Sequence, residues 1–359
     1  MKKNDFFLFA SVFILILFGL IILFSLSKGD TPQFSSFKKQ LIFFCLGFVV
    51  FFLISLIDWR IFYNSSSFFG VIYLFIISLL FLVLIFGKEA YGAKSWFNFG
   101  FFNLQPVELT KIALILVLAK YLSSRHLEIW QFKRLFTSGI FALIPIALVL
   151  AQPDLGGAII LGLIWFFLVL ISGIRLEQII LLFLIFILIV SLSWSFFLKP
   201  YQRSRLINFL NPQKDLLGIG YNRNQALIAI GSGGFFGKGL GWGTQTQLRF
   251  LPLAKTDFVF ASLAEEMGFI GVTILLFVYL TFFYRLSYWA NNFGTNFSKL
   301  FTIGFTIKLL FETSINISMN LGLLPIIGIA LPFLSLGGSH LLANFIGLGI
   351  INNMIKHRM

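Results

Sequence analysis

The 359-residue chain is 58% hydrophobic and only 11% charged, with a mean hydropathy of +0.96. Soluble domains average about 45–50% apolar and about 25% charged residues, so an ordinary soluble protein is excluded and an all-α, polytopic membrane protein is expected. The formal net charge of +14 accompanies no RNA- or DNA-binding motif, and nucleic acid is not expected as a partner.

The first apolar run, residues 6–26, follows Lys2 and Lys3 but is longer than a signal-peptide core and lacks an A-x-A-like exit. It reads as a retained first span. Further windows near the length a bilayer requires fall at about 38–57, 68–86, 106–122, 137–151, 156–173, 177–198, 257–283, 300–322 and 335–355. The fifth is short and contains Pro145. These ten spans form one transmembrane helix bundle and a single domain, residues 1–359. The lone cysteine, Cys45, lies in an apolar run, which excludes a disulfide framework and suits a small buried hydrophobe.

An even number of spans places both termini on one side. The short loops and termini on that side carry Lys2, Lys3, Arg60, Lys120, Arg125, Lys133, Arg134, Arg175, Arg285, Lys299, Lys356 and Arg358. The other side carries Lys28, Lys38, Lys39, Lys88 and Lys94. Lysine and arginine in short loops stay cytoplasmic, so both termini are expected inside and the long loop, about 199–256, outside.

That loop holds eight basic residues, among them Arg203, Arg205, Arg223 and Lys255, against the single acid Asp215. They suit either anionic lipid headgroups or an anionic substrate such as a lipid pyrophosphate. The loop also contains Gly231-Ser-Gly-Gly-Phe-Phe-Gly-Lys-Gly-Leu-Gly-Trp-Gly243, whose backbone is free to lie close to a ligand or another chain. It matches neither a P-loop nor a dinucleotide fingerprint.

Charged residues inside spans cost about 2.5–3.5 kcal/mol each on insertion scales, and so require partners or a purpose. Glu108 and Lys111, three apart after Pro106, share a helix face and can pair. Either the pair is structural or Lys111 serves a substrate phosphate. Lys308 and Glu312 repeat the pattern and read as a structural pair. Asp154 sits in the turn Gln152-Pro-Asp-Leu-Gly-Gly157, where aspartate commonly caps a helix. Asp257 stands where the basic loop meets the eighth span, heading a stripe with Ala261, Ala264, Gly268 and Gly271 that favours close helix packing. Glu265 and Glu266 lie further along and read as structural or as facing the cytoplasmic half. His126, His340 and His357 are scattered, and no zinc or Ser/His/Asp constellation emerges.

Several ordered blocks resemble the SEDS family (shape, elongation, division and sporulation), nearer its rod-shape branch than its division branch. They are GAKSWFNFGFFNLQPVELTKIALI (92–115), QPDLGGAI (152–159), PYQRSRLINFLNP (200–212), GYNRNQALIAIGSGGFFGKGLGWGTQTQLRFLP (220–252), TDFVFASLAEEMGFIG (256–271) and NLGLLPIIGIALPFLSLGGS (320–339). The chain departs from the family pattern at Leu253-Ala254-Lys255, where a glutamate and a histidine usually precede the aspartate. It also departs at Val107 and at Leu336-Gly-Gly-Ser-His340, where the family reads Y-G-G-S-S.

The resemblance implies a peptidoglycan glycosyltransferase that polymerises lipid II at the outer face of the bacterial inner membrane. Its partners would be a class B penicillin-binding protein (a transpeptidase) and other elongation-machinery proteins. It carries over Asp257 as the essential aspartate, Glu108 and Lys111 as the charged pair, and Asp154 in the QPDLG turn. Glycan polymerisation needs a base for the attacking 4-hydroxyl and positive charge for the departing pyrophosphate. Asp257 suits the first role. Lys111, Arg203, Arg205 and Arg223, alone or with a divalent cation such as Mg or Mn, suit the second. A lipid-linked precursor flippase and a non-enzymatic scaffold are the alternatives.

Overall fold

The computed structural model describes residues 5–27, 35–58, 60, 65–90, 93–100, 102–123, 132–192, 209 and 219–357. Ten long helices follow the ten expected spans: α1 (Phe6–Leu26), α2 (Ser35–Leu56), α3 (Ser66–Phe86), α4 (Pro106–Ser123), α5 (Phe132–Ala151), α6 (Leu155–Ile171), α7 (Leu176–Leu192), α10 (Val259–Asn292), α11 (Asn296–Asn320) and α12 (Gly338–His357). Two shorter helices, α8 (Ile219–Gly233) and α9 (Thr244–Gln247), belong to the long loop.

Six of the helices are long and apolar enough to cross a membrane by length and composition. Among the rest, α4 carries the buried Glu108 and Lys111, α12 carries His340 and three buried asparagines, and α6 and α7 are shorter. Pro145 lies inside α5 without ending it, and α5 starts five residues earlier than its apolar window because Phe132 to Leu135 continue the helical pattern.

One element was not expected. Strands β1 (Lys88–Ala90), β2 (Ala93–Asn98) and β3 (Asn103–Leu104) form a small antiparallel sheet between α3 and α4. Strands of three, six and two residues beside a 21-residue apolar helix are too weak a pattern to stand out.

Polar contacts define the two ends of the bundle. At one end Asp5, the N-cap of α1, accepts from Arg285 at 2.6 and 2.8 Å and from the Trp289 indole, near the end of α10. Arg60 meets His357 there at 3.0 Å. Both described ends of the chain therefore lie at the same end of the bundle, as an even number of spans requires. At the opposite end gather the small sheet, the Asp154 turn, the described part of the long loop from residue 219 onward, Asp257 and the irregular segment 321–337.

The glycine loop after α8 is held by α10 itself. Gly268 adopts φ 63°, ψ −163° and breaks the α10 ladder. The loop supplies the missing partners: the Phe269 and Ile270 amides donate to the Gly234 and Phe235 carbonyls at 3.0 and 3.2 Å. In return the Lys238 and Gly239 amides donate to the Glu265 and Glu266 carbonyls at 2.9 and 3.0 Å. The closeness expected of this loop is thus closeness to its own chain. A Cβ at Gly233 would lie 2.0 Å from the Ala264 carbonyl oxygen, and one at Gly237 would lie 2.3 Å from that of Glu266. The small-residue stripe serves the same contact, with Ala261 packed against Ala226 and Ala229 of α8.

Gly237→Ala combines that backbone clash with a φ of +82°. It is expected to destabilise the protein by about 1–3 kcal/mol. Thermal unfolding of the detergent-solubilised protein measures this, with Gly70→Ala on α3, which meets nothing within 4 Å, expected to leave the midpoint unchanged or slightly raised.

Candidate functional site

The site is built on one face of α11. Lys308, Glu312, Asn316 and Asn320 recur every four residues, which stacks them along a single helical stripe, and all four are fully buried. The lower two carry charge and the upper two carry amides.

Glu312 is the hub of the charged half. Its Oε1 accepts from Lys111 Nζ at 2.8 Å, and its Oε2 lies 3.0 Å from both Lys308 Nζ and His340 Nε2. Lys111 also donates to Glu108 Oε1 at 2.8 Å, and Lys308 to Asn344 Oδ1. The two ion pairs expected separately on α4 and α11 are therefore one cluster, closed by His340 and Asn344 of α12. Two ammonium groups face two carboxylates. An unpaired charge here would carry the full cost of burial, so the four groups hold three helices in fixed register.

The amide half fastens the loop. Asn316 and Asn320 both donate to the Asp257 carbonyl at 3.0 Å. Asn316 donates also to the Ile329 carbonyl at 2.7 Å, and the Asn320 side-chain oxygen accepts from the Ala261 amide at 3.1 Å. Asp257 does not open α10; it lies two residues before Val259, in a turn whose backbone α11 grips. The eighth window, read from residue 257, took in this turn because Phe258 is as apolar as the helix that follows. The Asp257 carboxylate turns toward Gly328, where a Cβ would lie 3.7 Å from Oδ2, and Gly328 has φ +74°. A side chain at that position would stand against the carboxylate.

Asp154 caps α6 by accepting from the Gly157 amide at 2.8 Å. Burial pushes its carboxyl upward, and the Gly157 amide opposes that shift. Gln105, just before α4, donates to Asp154 at 3.4 Å and takes Ser339 Oγ, at the start of α12, as acceptor for its amide at 3.0 Å. A Cβ at Gly156 would lie 2.9 Å from the Ile327 carbonyl, so the segment bearing Gly328 runs over this turn. Asp154, Gln105 and Asp257 thus surround one stretch of chain.

Lys255 donates to Ser36 at 3.3 Å, and its carbonyl accepts from the Leu336 amide at 2.8 Å, which ties the aspartate turn to α2 and to the start of α12. Arg223, on α8, donates to the Gly322 carbonyl at 2.9 Å beyond the end of α11 and stacks over Phe209 at 5.6 Å. Its Nε and Nη1 are buried without a hydrogen-bond partner among the described residues. Arg203 and Arg205 lie outside the described residues.

Glu265 and Glu266 are structural, but at the Asp257 end rather than in the opposite half. Glu265 accepts from the Gln245 and Thr246 amides at 2.9 and 3.1 Å, at the start of α9, and from Lys238 at 3.1 Å. Glu266 accepts from Ser25, at the end of α1, at 2.7 Å.

His340 was the residue that sequence reasoning missed. The available signal was the i, i+4 row of polar residues within an apolar span, continued by Asn344 and His340 on a second helix; such rows face the bundle interior. Glu108, Glu312 and His340 bring ligand atoms within 4.8 Å of one another. They do not fit a divalent cation, because Lys111 and Lys308 already neutralise both carboxylates and would be driven against it.

Comparison with known proteins places these features in a family. Residues 5–359 match the cell cycle protein family of FtsW, RodA and SpoVE. The chain is 37% identical over 288 residues to the peptidoglycan glycosyltransferase MrdB of Escherichia coli K12, covering 80% of this chain and 78% of that one. It is 37% identical over 363 residues to a probable peptidoglycan glycosyltransferase FtsW of Tolumonas auensis, covering 96% and 90%. Among solved structures, a chain from work on the coordination of polymerization and crosslinking by a peptidoglycan synthase complex aligns with a TM-score of 0.85 at 30% identity, covering 100% of this chain and 99% of that chain. The rod shape determining protein RodA of Thermus thermophilus aligns at 0.73 and 29% identity, covering 99% and 98%.

Removing Glu312 leaves two buried lysines without their shared carboxylate. Glu312→Ala is therefore expected to cost about 3–5 kcal/mol, read as a lowered unfolding midpoint or loss of the monodisperse protein.

Proposed function

This chain belongs to the SEDS family of FtsW, RodA and SpoVE, and we propose that it is a peptidoglycan glycosyltransferase with Asp257 as its general base. It polymerises lipid II into glycan strands at the outer face of the bacterial inner membrane, during elongation and the maintenance of rod shape. The observation that carries the catalytic assignment is the grip of Asn316 and Asn320 on the Asp257 carbonyl. Two buried amides fix the backbone of one acid whose carboxylate faces the glycine at position 328.

The reaction is a displacement at the anomeric carbon of the donor sugar. The 4-hydroxyl of the acceptor forms the new glycosidic bond while the bond from C1 to the pyrophosphate breaks, with inversion and without a covalent enzyme intermediate. Asp257 takes the hydroxyl proton, a contribution of about 10²–10⁴-fold for a well-placed base. The leaving pyrophosphate gains negative charge and needs cations. Arg223, with two buried N–H groups uncommitted, is the described residue best placed to serve it, together with Arg203 and Arg205.

Lys111 and Glu108 act at one remove. Both are almost fully buried and engaged with each other and with Glu312, so they hold α4 and α11 in register beneath the site rather than touch the pyrophosphate. Lys255 likewise fixes the turn. A class B penicillin-binding protein is the partner proposed on the synthase-complex likeness.

Asp257→Asn keeps the size and the backbone contacts of the residue and removes the base. Purified with its transpeptidase partner, this variant is expected to lose about 10²–10⁴-fold in lipid II polymerisation while unfolding at the wild-type temperature. Equal activity would overturn the assignment, and transport of labelled lipid II across liposomes by the variant without polymerisation by the wild type would favour the flippase. Asn320→Ala loosens the same turn without touching substrate, so kcat is expected to fall with KM little changed.

A further inference from the structure

Two hydrogen-bonded pairs act as rulers for the membrane. α1 is tied to α10 by Asp5 with Arg285 at one end and by Ser25 with Glu266 at the other. At 1.5 Å per residue the first helix covers about 30 Å between its two ties and the second about 28 Å. A bilayer's hydrocarbon core is about 30 Å thick. The end at Asp5 carries the marks of an interface, with Arg285 over the Tyr288 and Phe7 rings at 4.8 and 5.8 Å beside Trp289. The level of Ser25 and Glu266 is then the opposite boundary.

The glycine loop lies at that level and partly below it. Its backbone bonds to residues 265–270 of α10, not to the helix start at Val259. Leu240 closes an apolar groove of about 470 Å³ with Leu20 and Phe24 of α1 and with Phe37. Leu20 is more than a turn inside the Ser25 tie. Around Leu240 the loop exposes Phe236 and Trp242 at 79% and 77%, with Phe235 stacked on exposed Phe269 of α10. Irregular backbone survives at hydrocarbon depth only when its polar groups are paired within the protein. The four amide–carbonyl bonds to the broken ladder at Gly268 do that pairing, and the Lys238 ammonium is neutralised by Glu265.

We propose that the glycine loop is a membrane-inserted hairpin, with Phe235, Phe236, Leu240 and Trp242 immersed in the lipid of the leaflet on the Asp257 side. Its occupant is acyl chain, because the loop's apolar face continues without a step into the apolar face of α1, where Ile21 and Phe24 are also exposed. The hairpin gives α8 and the aspartate turn a fixed depth, independent of any partner.

The single cysteine makes the test direct. In a Cys45→Ser background, Phe236→Cys and Trp242→Cys are labelled one at a time with an environment-sensitive fluorophore. The full chain is reconstituted in phosphatidylglycerol–phosphatidylethanolamine vesicles. Phe13→Cys on the exposed middle of α1 and Lys94→Cys on β2 are the lipid and water references. Both loop probes are expected to show blue-shifted emission, quenching by doxyl-labelled lipid comparable to that at position 13, and loss of the iodide quenching seen at position 94. Iodide quenching equal to that at position 94 would place the loop in water and overturn the proposal. Loss of both kinds of quenching would assign the face to protein contact and overturn it equally.

Discussion

Everything at the Asp257 end depends on the polar stripe of α11. Lys308, Glu312, Asn316 and Asn320 sit one above another on a largely apolar helix, and together they reach four parts of the chain: Lys308 reaches α12, Glu312 reaches α4, and Asn316 and Asn320 share the Asp257 turn, with Asn316 also reaching the segment around Ile329. In a membrane interior such groups have no water to fall back on, so their partners must come from the protein. The stripe thereby converts the cost of burying polar groups into a demand for one arrangement of four elements. The acid that performs the proposed chemistry is not on the stripe. Its backbone carbonyl is held by the two amides at the upper end of the stripe.

The charged half and the amide half do different jobs. Two lysines balance the two carboxylates of the Glu312 cluster, so it specifies register without an excess of negative charge that would attract a metal ion. The amides are uncharged and short, and they fix backbone rather than side chain. A base on a loop would ordinarily be imprecise; here the loop's backbone is bonded to a helix whose own position is set by ion pairs one and two turns away. The kink at Gly268 extends the same logic, because a broken helical ladder offers amides and carbonyls that hold the glycine loop as firmly as a strand would.

The family resemblance and the physical chemistry met at particular residues. Helical periodicity and the price of intramembrane charge singled out Glu108, Lys111, Lys308 and Glu312 in the sequence, but as two pairs. Nothing in the spacing within one helix reveals that a second helix will bring its pair to the same point. The role of His340 was hidden for the same reason: a lone histidine at a helix start carries no local signature of what it will meet across helices. The glycine loop was legible as close-approaching backbone, yet its partner was the chain's own α10, since Gly268 looks in sequence like one more small residue in a stripe.

The sequence by itself determined the bundle. Ten apolar windows became ten helices because burying a backbone in hydrocarbon leaves the helix as the one local solution, and that choice is made within each segment. The cap at Asp154 and the candidacy of Asp257 were equally local. Only the tertiary structure decided that Asp257 lies before its helix, that α4, α11 and α12 share one charge cluster, and that Glu265 and Glu266 fasten a loop. Those outcomes depend on which polar groups meet across helices, and a side chain's partner in space is fixed by the packing of every element between them.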